Sequence, residues 1–311
     1  MPYSNLFKTK KVTASPVAKM NITQGIMTAI ICVLTLVCLL PMLLIVIVAF
    51  SSEASIAAKG FSFFPSGWSV KAFEYVATFG DQVINAYKIT ILETLSGTLL
   101  TLFLTGMFSY TLSRQDFMLR KPLAVYLLIT MLFSGGLLGS FLVNSNVFHL
   151  RNNFLILILP MCITTWNCIV MRTFIQSNVP PSLIEAAKID GAGEAYTYFK
   201  IVLPILLPVM AAIGFMTAIG HWNEWQTAFL YIDKPELATL QLILIRIEKS
   251  LSYLQQNRAI LSAEEMEMLR NAPNESARMA VLLYTIGPII VVYPFFQKYF
   301  IQGITVGSVK G

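Results

Sequence analysis

Charged residues are scarce in this chain. Asp, Glu, Lys and Arg make up 12% of the 311 residues, whereas hydrophobic residues make up 56%, and the mean hydropathy is +0.69. A soluble globular domain carries about a quarter charged residues, so this composition excludes an ordinary soluble protein. Long apolar runs are instead typical of transmembrane helices, which need about 20 residues to cross the hydrocarbon layer.

Metal-binding and redox residues are equally few. The chain has two histidines and four cysteines, and they are too scattered for a metal site. All four cysteines lie inside apolar runs and none has CxxC spacing, so we interpret them as small packing residues. They are Cys32, Cys38, Cys162 and Cys168. We expect this chain to bind no metal and no cofactor.

Catalytic motifs are also missing. The sequence has no HExxH and no GxSxG motif, which argues against an integral-membrane enzyme. It has no Walker A motif, GxxxxGK[ST], so any ATP hydrolysis must take place on another chain. Internal repeats, which are typical of secondary transporters, are absent too. A secondary transporter nevertheless remains the alternative function.

Six apolar segments are long enough to cross a membrane, so the sequence predicts an all-α polytopic membrane protein. The segments cover residues 26–50, 89–112, 122–143, 154–174, 205–225 and 280–296. Together they form a membrane domain (26–297) between an N-terminal arm (1–25) and a C-terminal tail (298–311). Proline is expected to kink the first, fourth and sixth helices, at Pro41, Pro160 and Pro288. Gly135, Gly136 and Gly139 in the third segment suit close helix packing.

Lysine and arginine predict the orientation. They are concentrated in the N-terminal arm and in the short connection 113–121, and basic residues accumulate on the cytoplasmic side of membrane proteins. We therefore predict that both termini are cytoplasmic. The connection 176–204 is then also cytoplasmic, whereas the long connections 51–84 and 226–278 are external. Within the second of these, helices are expected at 237–254 and 262–270.

A patterned polar segment lies between the fourth and fifth membrane segments. Pro180-Pro181 is expected to end the preceding helix, and a short helix is predicted over residues 183–190. Ser182 and Glu185 have the S-x-x-E spacing of a capping box, in which the serine caps the helix and the glutamate reaches back to it. This reading gives Glu185 a purely structural role.

The end and the outer face of this short helix suggest a second reading. Gly191 fits a C-cap with positive φ, and a further helical stretch, 194–202, leads to Pro204. Ala186 and Ala187 form a small apolar surface that the capping box does not explain. A short helix with an apolar tip and a charged rim suits insertion into a groove of a soluble partner.

The same segment resembles the coupling motif of bacterial ABC importer permeases. The shared pattern is E-A-A-x-x-D-G-A followed by I-x-L-P, and Tyr198 stands where the family usually has phenylalanine. The residues that carry it are Glu185, Ala186, Ala187, Asp190, Gly191, Tyr198, Leu203 and Pro204. Matches along the whole chain narrow the resemblance to the smaller, second permease subunit of maltose-transporter-type carbohydrate uptake systems. Phe63-Phe64-Pro65, the stretch 109–114 and the tail 297–311 are among them, and the tail is most similar to the Gram-positive oligosaccharide branch.

The resemblance implies a non-catalytic permease in the bacterial cell membrane. Its implied partners are a second permease subunit, an ATPase dimer that uses ATP and Mg, an extracellular solute-binding lipoprotein and a carbohydrate, with no nucleic acid. The coupling helix would lie in a cleft of one ATPase subunit, where Glu185 would pair with a basic group. The tail could make a second ATPase contact, although a frayed terminus is the alternative. The tail candidates are Gly307, Ser308, Lys310 and Gly311.

Polar residues inside the membrane segments are candidates for the substrate pathway. Glu93 lies one turn into the second segment, and Trp222-Asn223-Glu224-Trp225 closes the fifth at its external end. Aromatic faces, amides and carboxylates are the groups that bind sugars, but tryptophans also form interfacial belts. If these residues line the substrate pathway, we expect Trp222→Ala and Glu224→Gln to lower uptake and to leave assembly intact.

Overall fold

The computed structural model describes residues 22–257 and 274–308, and these are helical apart from short connections. Within them the β-structure is one isolated bridge between Ser51 and Trp68. The all-α prediction is therefore confirmed. In chain order the helices are α1 (Ile22–Ala49), α2 (Glu53–Lys59), α3 (Lys71–Ala77), α4 (Gly80–Ser113), α5 (Arg120–Leu132), α6 (Gly136–Leu142), α7 (Leu155–Ile158), α8 (Thr165–Asn178), α9 (Pro181–Ile189), α10 (Glu194–Tyr196), α11 (Leu203–Asn223), α12 (Gln226–Tyr231), α13 (Leu240–Gln256) and α14 (Asn274–Ser308).

Four helices are long and apolar enough to cross a membrane. They are α1, α4, the continuous helix Glu194–Asn223 and the part of α14 from Glu275 to Pro294. These helices contain the first, second, fifth and sixth predicted segments. The third and fourth segments fall on two bent helix pairs, so the structure has six spans if each bent pair crosses once.

The third predicted segment is bent far more sharply than expected. The helices on its two sides, α5 and the stretch Gly136–Val147, meet at 115°. Gly136 has φ +73, a conformation that residues with side chains rarely adopt, so the glycines turn the chain. No atom lies within 4 Å of a Cβ built at Gly135, Gly136 or Gly139. Within the described chain, the prediction of close helix packing at these glycines is wrong.

The fourth predicted segment is also broken, at the expected proline. The helical stretch Leu155–Met161 and α8 meet at 52°, and Pro160 lies in the 3-10 turn Leu159–Met161 between them. By contrast, Pro41 and Pro288 lie inside α1 and α14, which continue through them as single helices.

The close helix approach occurs on α4, which packs against α11 and α8. A Cβ added at Gly97 would lie 2.5 Å from Nε2 of His221 on α11, and one added at Gly106 would collide with the Tyr198 hydroxyl. Small residues allow helix backbones to approach closely in membranes. These two glycines therefore set the distance between α4 and the helix Glu194–Asn223.

Helix α3, in the connection 51–84, and the described residues between α11 and α13 pack in one apolar cluster with the start of α4. Thr90 on α4 accepts a hydrogen bond of 2.8 Å from the Leu240 N–H at the start of α13, and the Tyr87 hydroxyl donates one of 2.6 Å to the Tyr284 carbonyl on α14. The helix predicted over 237–254 is confirmed by α13, whose N-cap is Thr239. The helix predicted over 262–270 lies outside the described residues.

Candidate coupling site

Helix α9 begins earlier than predicted, and no side chain caps it. Pro180 is its N-cap and Pro181 its first residue, a favourable position because the first turn of a helix needs no N–H there. Ser182 is therefore already inside the helix, so the predicted capping box is wrong. The Glu185 side chain is exposed, and it makes no hydrogen bond or ion pair within the described part of the chain.

Helix α9 ends in a Schellman motif. Gly191 has φ +78, as predicted. Its N–H bonds the Lys188 carbonyl at 3.0 Å, and the Ala192 N–H bonds the Ala187 carbonyl at 2.9 Å. These two bonds satisfy carbonyls at the helix end and fix the direction in which the chain leaves α9.

The apolar face of α9 is divided between the protein interior and its surface. Ala187 is buried, and Ile184 packs against the cluster that includes Ile175 of α8. The prediction that Ala186 and Ala187 are presented together is therefore wrong for Ala187. The exposed apolar residues are Ala186, Leu183 and Ile189, of which Ile189 is 85% exposed.

Charged side chains join α9 to the end of α4. Asp116 accepts two hydrogen bonds from Arg114, at 3.0 and 2.8 Å, and a third from Lys188 of α9, at 2.6 Å. Glu194 at the start of α10 lies 3.3 Å from Arg114 and 3.7 Å from Lys188. Its other carboxylate oxygen accepts a bond of 2.8 Å from the Tyr110 hydroxyl. A change in the position of α9 therefore changes contacts with two other helices.

This charged network was not recognised from the sequence. Its members come from the end of α4 and from the two connections 113–121 and 176–204, so no spacing along the chain brings them together. Asp116 also lines a groove of about 450 Å3 beside α9, and Glu194 lines a separate, neighbouring hollow of about 240 Å3. Glu185, Lys188 and Ile184 line that groove together with Arg114 and Gln176. It can receive a protruding segment of another protein.

We expect the network to weaken in acid. Arg114 and Lys188 hold the pKa of Asp116 well below its usual range. A carboxyl group with a lowered folded-state pKa stabilises the fold above its unfolded pKa of about 3.9 and loses that contribution as the pH falls through the folded value. Asp116→Asn should remove this acid dependence and lower stability by at most about 1 kcal/mol, because the side chain is half exposed. Thermal unfolding of both proteins in detergent between pH 2 and pH 6 measures this; identical acid limbs would contradict the role of Asp116.

The segment after α9 is anchored inside the bundle. Tyr198 lies in a π-helical stretch, Thr197–Val202; it is 4% exposed, and its ring centroid lies 5.3 Å from that of Tyr110. Leu203 packs against the same cluster. Of the predicted ATPase contacts, Tyr198 is thus buried within this chain and Leu203 is partly buried. Pro204 is exposed but does not end a helix, since Glu194–Asn223 is continuous.

The predicted tail contacts are described only in part. Gly307 and Ser308 are the last residues of α14. Lys310 and Gly311 lie outside the described residues.

Two of the predicted pathway residues are core residues in this structure. Glu93 is 0% exposed; its Oε1 lies 3.8 Å from Nδ1 of His221, which is also fully buried. Trp222 is 9% exposed and donates a 3.1 Å hydrogen bond from Nε1 to the Thr285 carbonyl of α14. Glu93 therefore contacts α11 from α4, and Trp222 connects α11 to α14.

The other three pathway residues lie at the end of α11. Glu224 accepts a 2.7 Å hydrogen bond from the Thr227 N–H, which satisfies a donor at the start of α12. Asn223 is exposed. Trp225 is 45% exposed, and its ring centroid lies 6.3 Å from that of Phe229. Asn223 and Trp225 are thus the members of the motif that remain available to a ligand.

This chain is similar in sequence and in structure to membrane proteins of known transport systems. Residues 103–306 match the family described as the binding-protein-dependent transport system inner membrane component. The polygalacturonan/rhamnogalacturonan transport system permease protein YtcP of Bacillus subtilis is 35% identical over 89% of this chain and 94% of its own length. The arabinooligosaccharides transport system permease protein AraQ of Halalkalibacterium halodurans is 25% identical over 87% and 91%. A chain of a bacterial ABC transporter involved in the import of the acidic polysaccharide alginate superimposes with a TM-score of 0.75 at 26% identity, over 92% of this chain and 100% of that one.

Proposed function

This chain belongs to the family of binding-protein-dependent transport system inner membrane components, and on this premise we propose its cargo and its partners. It is a multi-pass cell-membrane protein and the non-catalytic permease subunit of an ABC sugar importer. ATP is hydrolysed by a partner ATPase. The proposal concerns which partners assemble on the chain, how they contact it and which sugar crosses.

The proposed partners are a second permease subunit, an ATPase dimer and an extracellular solute-binding lipoprotein. The groove beside α9 supports an ATPase contact, because Glu185 and the exposed Ala186 and Ile189 have no other role in the described chain. Both termini are cytoplasmic in this proposal, which places α9 on the same side as the ATPase. Movement of the ATPase would reach α4 through Lys188, Asp116 and Arg114.

The proposed cargo is an oligosaccharide released from an acidic polysaccharide. Galacturonan and alginate are polymers of uronic acids, and proteins named for their transport are similar to this chain over about nine-tenths of its length. A neutral arabinooligosaccharide is the second candidate, because a relative with that name also matches most of the chain.

The proposed pathway contacts of this subunit are Asn223 and Trp225, at the end of α11. Trp225→Ala should lower uptake of a labelled oligogalacturonide about two- to twelvefold, since an aromatic contact contributes about 0.5–1.5 kcal/mol. Trp166→Ala is the matched control, because that side chain is also exposed but lies on α8. Trp222→Ala is a poor test, as it removes a buried ring from the core. Equal losses in the Trp225 and Trp166 variants would remove Trp225 from the pathway.

The assembly is tested by purifying the full chain from native membranes in detergent and identifying the proteins that accompany it. We expect a second permease, a protein with a Walker A motif and ATPase activity, and a lipoprotein. Binding assays on that lipoprotein with oligogalacturonides, alginate oligosaccharides and arabinooligosaccharides would then identify the cargo. Recovery of the chain alone in a form that still transports sugar would contradict the proposal and favour a secondary transporter.

A further inference from the structure

A second hollow, distinct from the groove beside α9, lies where the α4–α5 connection meets α8. It has a volume of about 580 Å3 and is lined by Arg120 and Lys121 of α5, by Arg172 of α8 and by Asp116 and Met118 of the connection, among others. Three cationic side chains from two helices thus face one space. None of the three makes an ion pair with any described residue.

The negative charge in this hollow is already engaged elsewhere. Asp116 is its one carboxylate among the described lining residues, and it is bonded to Arg114 and Lys188. Nε of Arg172 is buried and has no hydrogen-bond partner in the part of the chain that the structure describes. A buried donor of a cationic group is costly when it is left unpaired, so Arg172 still has hydrogen-bonding capacity that the described residues do not use.

The start of α5 adds to this positive field. The helix begins at Arg120, and no side chain caps it. The Arg120 N–H already bonds the Phe117 carbonyl and Pro122 has no N–H, so the contribution of α5 is its helix dipole, which favours negative charge at this end.

We propose that this hollow binds the phosphate headgroup of an anionic phospholipid. Basic hollows between membrane helices suit such headgroups. A lipid fits better than a free anion because the basic end of α5 leads directly into an exposed apolar face. Val125 and Tyr126 are 55% and 61% exposed, and Met118 at the hollow itself is 87% exposed, so acyl chains can lie along them. The lipid would come from the inner leaflet; this choice of leaflet rests on the proposed function, in which both termini are cytoplasmic.

The site lies one side chain away from the charged network of α9. Asp116 lines the hollow and also accepts the hydrogen bond from Lys188. A bound phosphate would place negative charge beside Asp116 and so change the electrostatic environment of the Lys188 contact on α9. Lipid composition would then influence coupling through contacts within this one chain.

The test measures lipid binding to the purified full chain by native mass spectrometry. The added ligands are phosphatidylglycerol, phosphatidylcholine and inorganic phosphate. The variants are Arg172→Gln and Lys121→Gln; Lys121 is exposed, so its variant keeps the site testable if the Arg172 variant is unstable. Lys234→Gln is the control, an exposed lysine in the connection before α13. We expect the wild type and the control to prefer phosphatidylglycerol, and each variant to bind it about fivefold more weakly.

Each other result overturns the proposal. Unchanged phosphatidylglycerol affinity in both variants would mean that the hollow is not the site. Equal binding of phosphatidylcholine would mean that the headgroup charge is not recognised, and displacement of the lipid by millimolar inorganic phosphate would make a free anion the ligand. The assay needs neither the ATPase nor the cargo, so its failure would leave the proposed function unaffected.

Discussion

Replacing Gly191 with proline is expected to abolish recovery of the ATPase with this chain. Gly191 has φ +78, whereas proline fixes φ near −65. Proline also lacks the N–H that bonds the Lys188 carbonyl. Without the Schellman motif, α9 ends in a different direction, and Lys188 moves away from Asp116. We expect at least about tenfold less ATPase to copurify, since backbone strain and a lost hydrogen bond together exceed about 1.4 kcal/mol.

Two alanine variants separate backbone conformation from side-chain bulk. Gly191→Ala keeps the N–H but places a Cβ in the left-handed region, at a cost of about 1–2 kcal/mol, so its effect should be intermediate. Gly193→Ala is the control: its φ is −71, and no atom lies within 4 Å of the added Cβ. If the proline variant recovers as much ATPase as the wild type, the turn after α9 is not needed for docking.

Gly97→Ala should destabilise the membrane bundle by about 1–3 kcal/mol, the usual cost of overpacking a core. The added Cβ would lie 2.5–2.9 Å from three ring atoms of His221. The ring is fully buried beside Glu93, so it cannot turn out into solvent to relieve the clash. The α4–α11 contact would have to widen.

The matched control for this substitution is Gly139→Ala, on α6. No atom of the described chain lies within 4 Å of a Cβ there, and alanine favours the helix over glycine by about 1 kcal/mol. Thermal unfolding of the purified chain in detergent, followed by circular dichroism, measures both variants. A Gly97 variant as stable as the Gly139 variant would show that α4 and α11 do not require this close approach.

The sequence was sufficient to predict features that depend on local chemistry. The helix class follows from apolar run length, and the turn after α9 follows from a glycine placed directly after a short helix. The helix predicted over 237–254 has polar and apolar residues at helical spacing and is present as α13. The family resemblance rests on residues 185–204, which fold as one exposed helix, a glycine turn and a second helix.

Features that depend on three-dimensional neighbours were not predictable in the same way. The S-x-x-E pattern requires an extended serine as the N-cap, but the helix already begins at Pro181, so Ser182 lies inside its first turn. Gly136 looked like a packing residue because its sequence neighbours are apolar, yet its positive φ makes it a turn. Arg114 and Lys188 both bond Asp116, and Lys188 is 72 positions away from it along the chain. No sequence pattern indicates that these two distant residues are in contact.

The pairing of α1 with α14 has a consequence for how the chain is made. None of the most apolar window of α1, with a hydropathy of 3.2, is buried inside the protein, and its principal neighbour is α14. Because α1 is synthesised long before α14, it must remain in lipid until α14 has been made. The high hydropathy of α1 makes it stable alone in the bilayer during that interval. Since α14 also contacts α3, α11 and α13, its insertion closes the bundle around helices that are already in place.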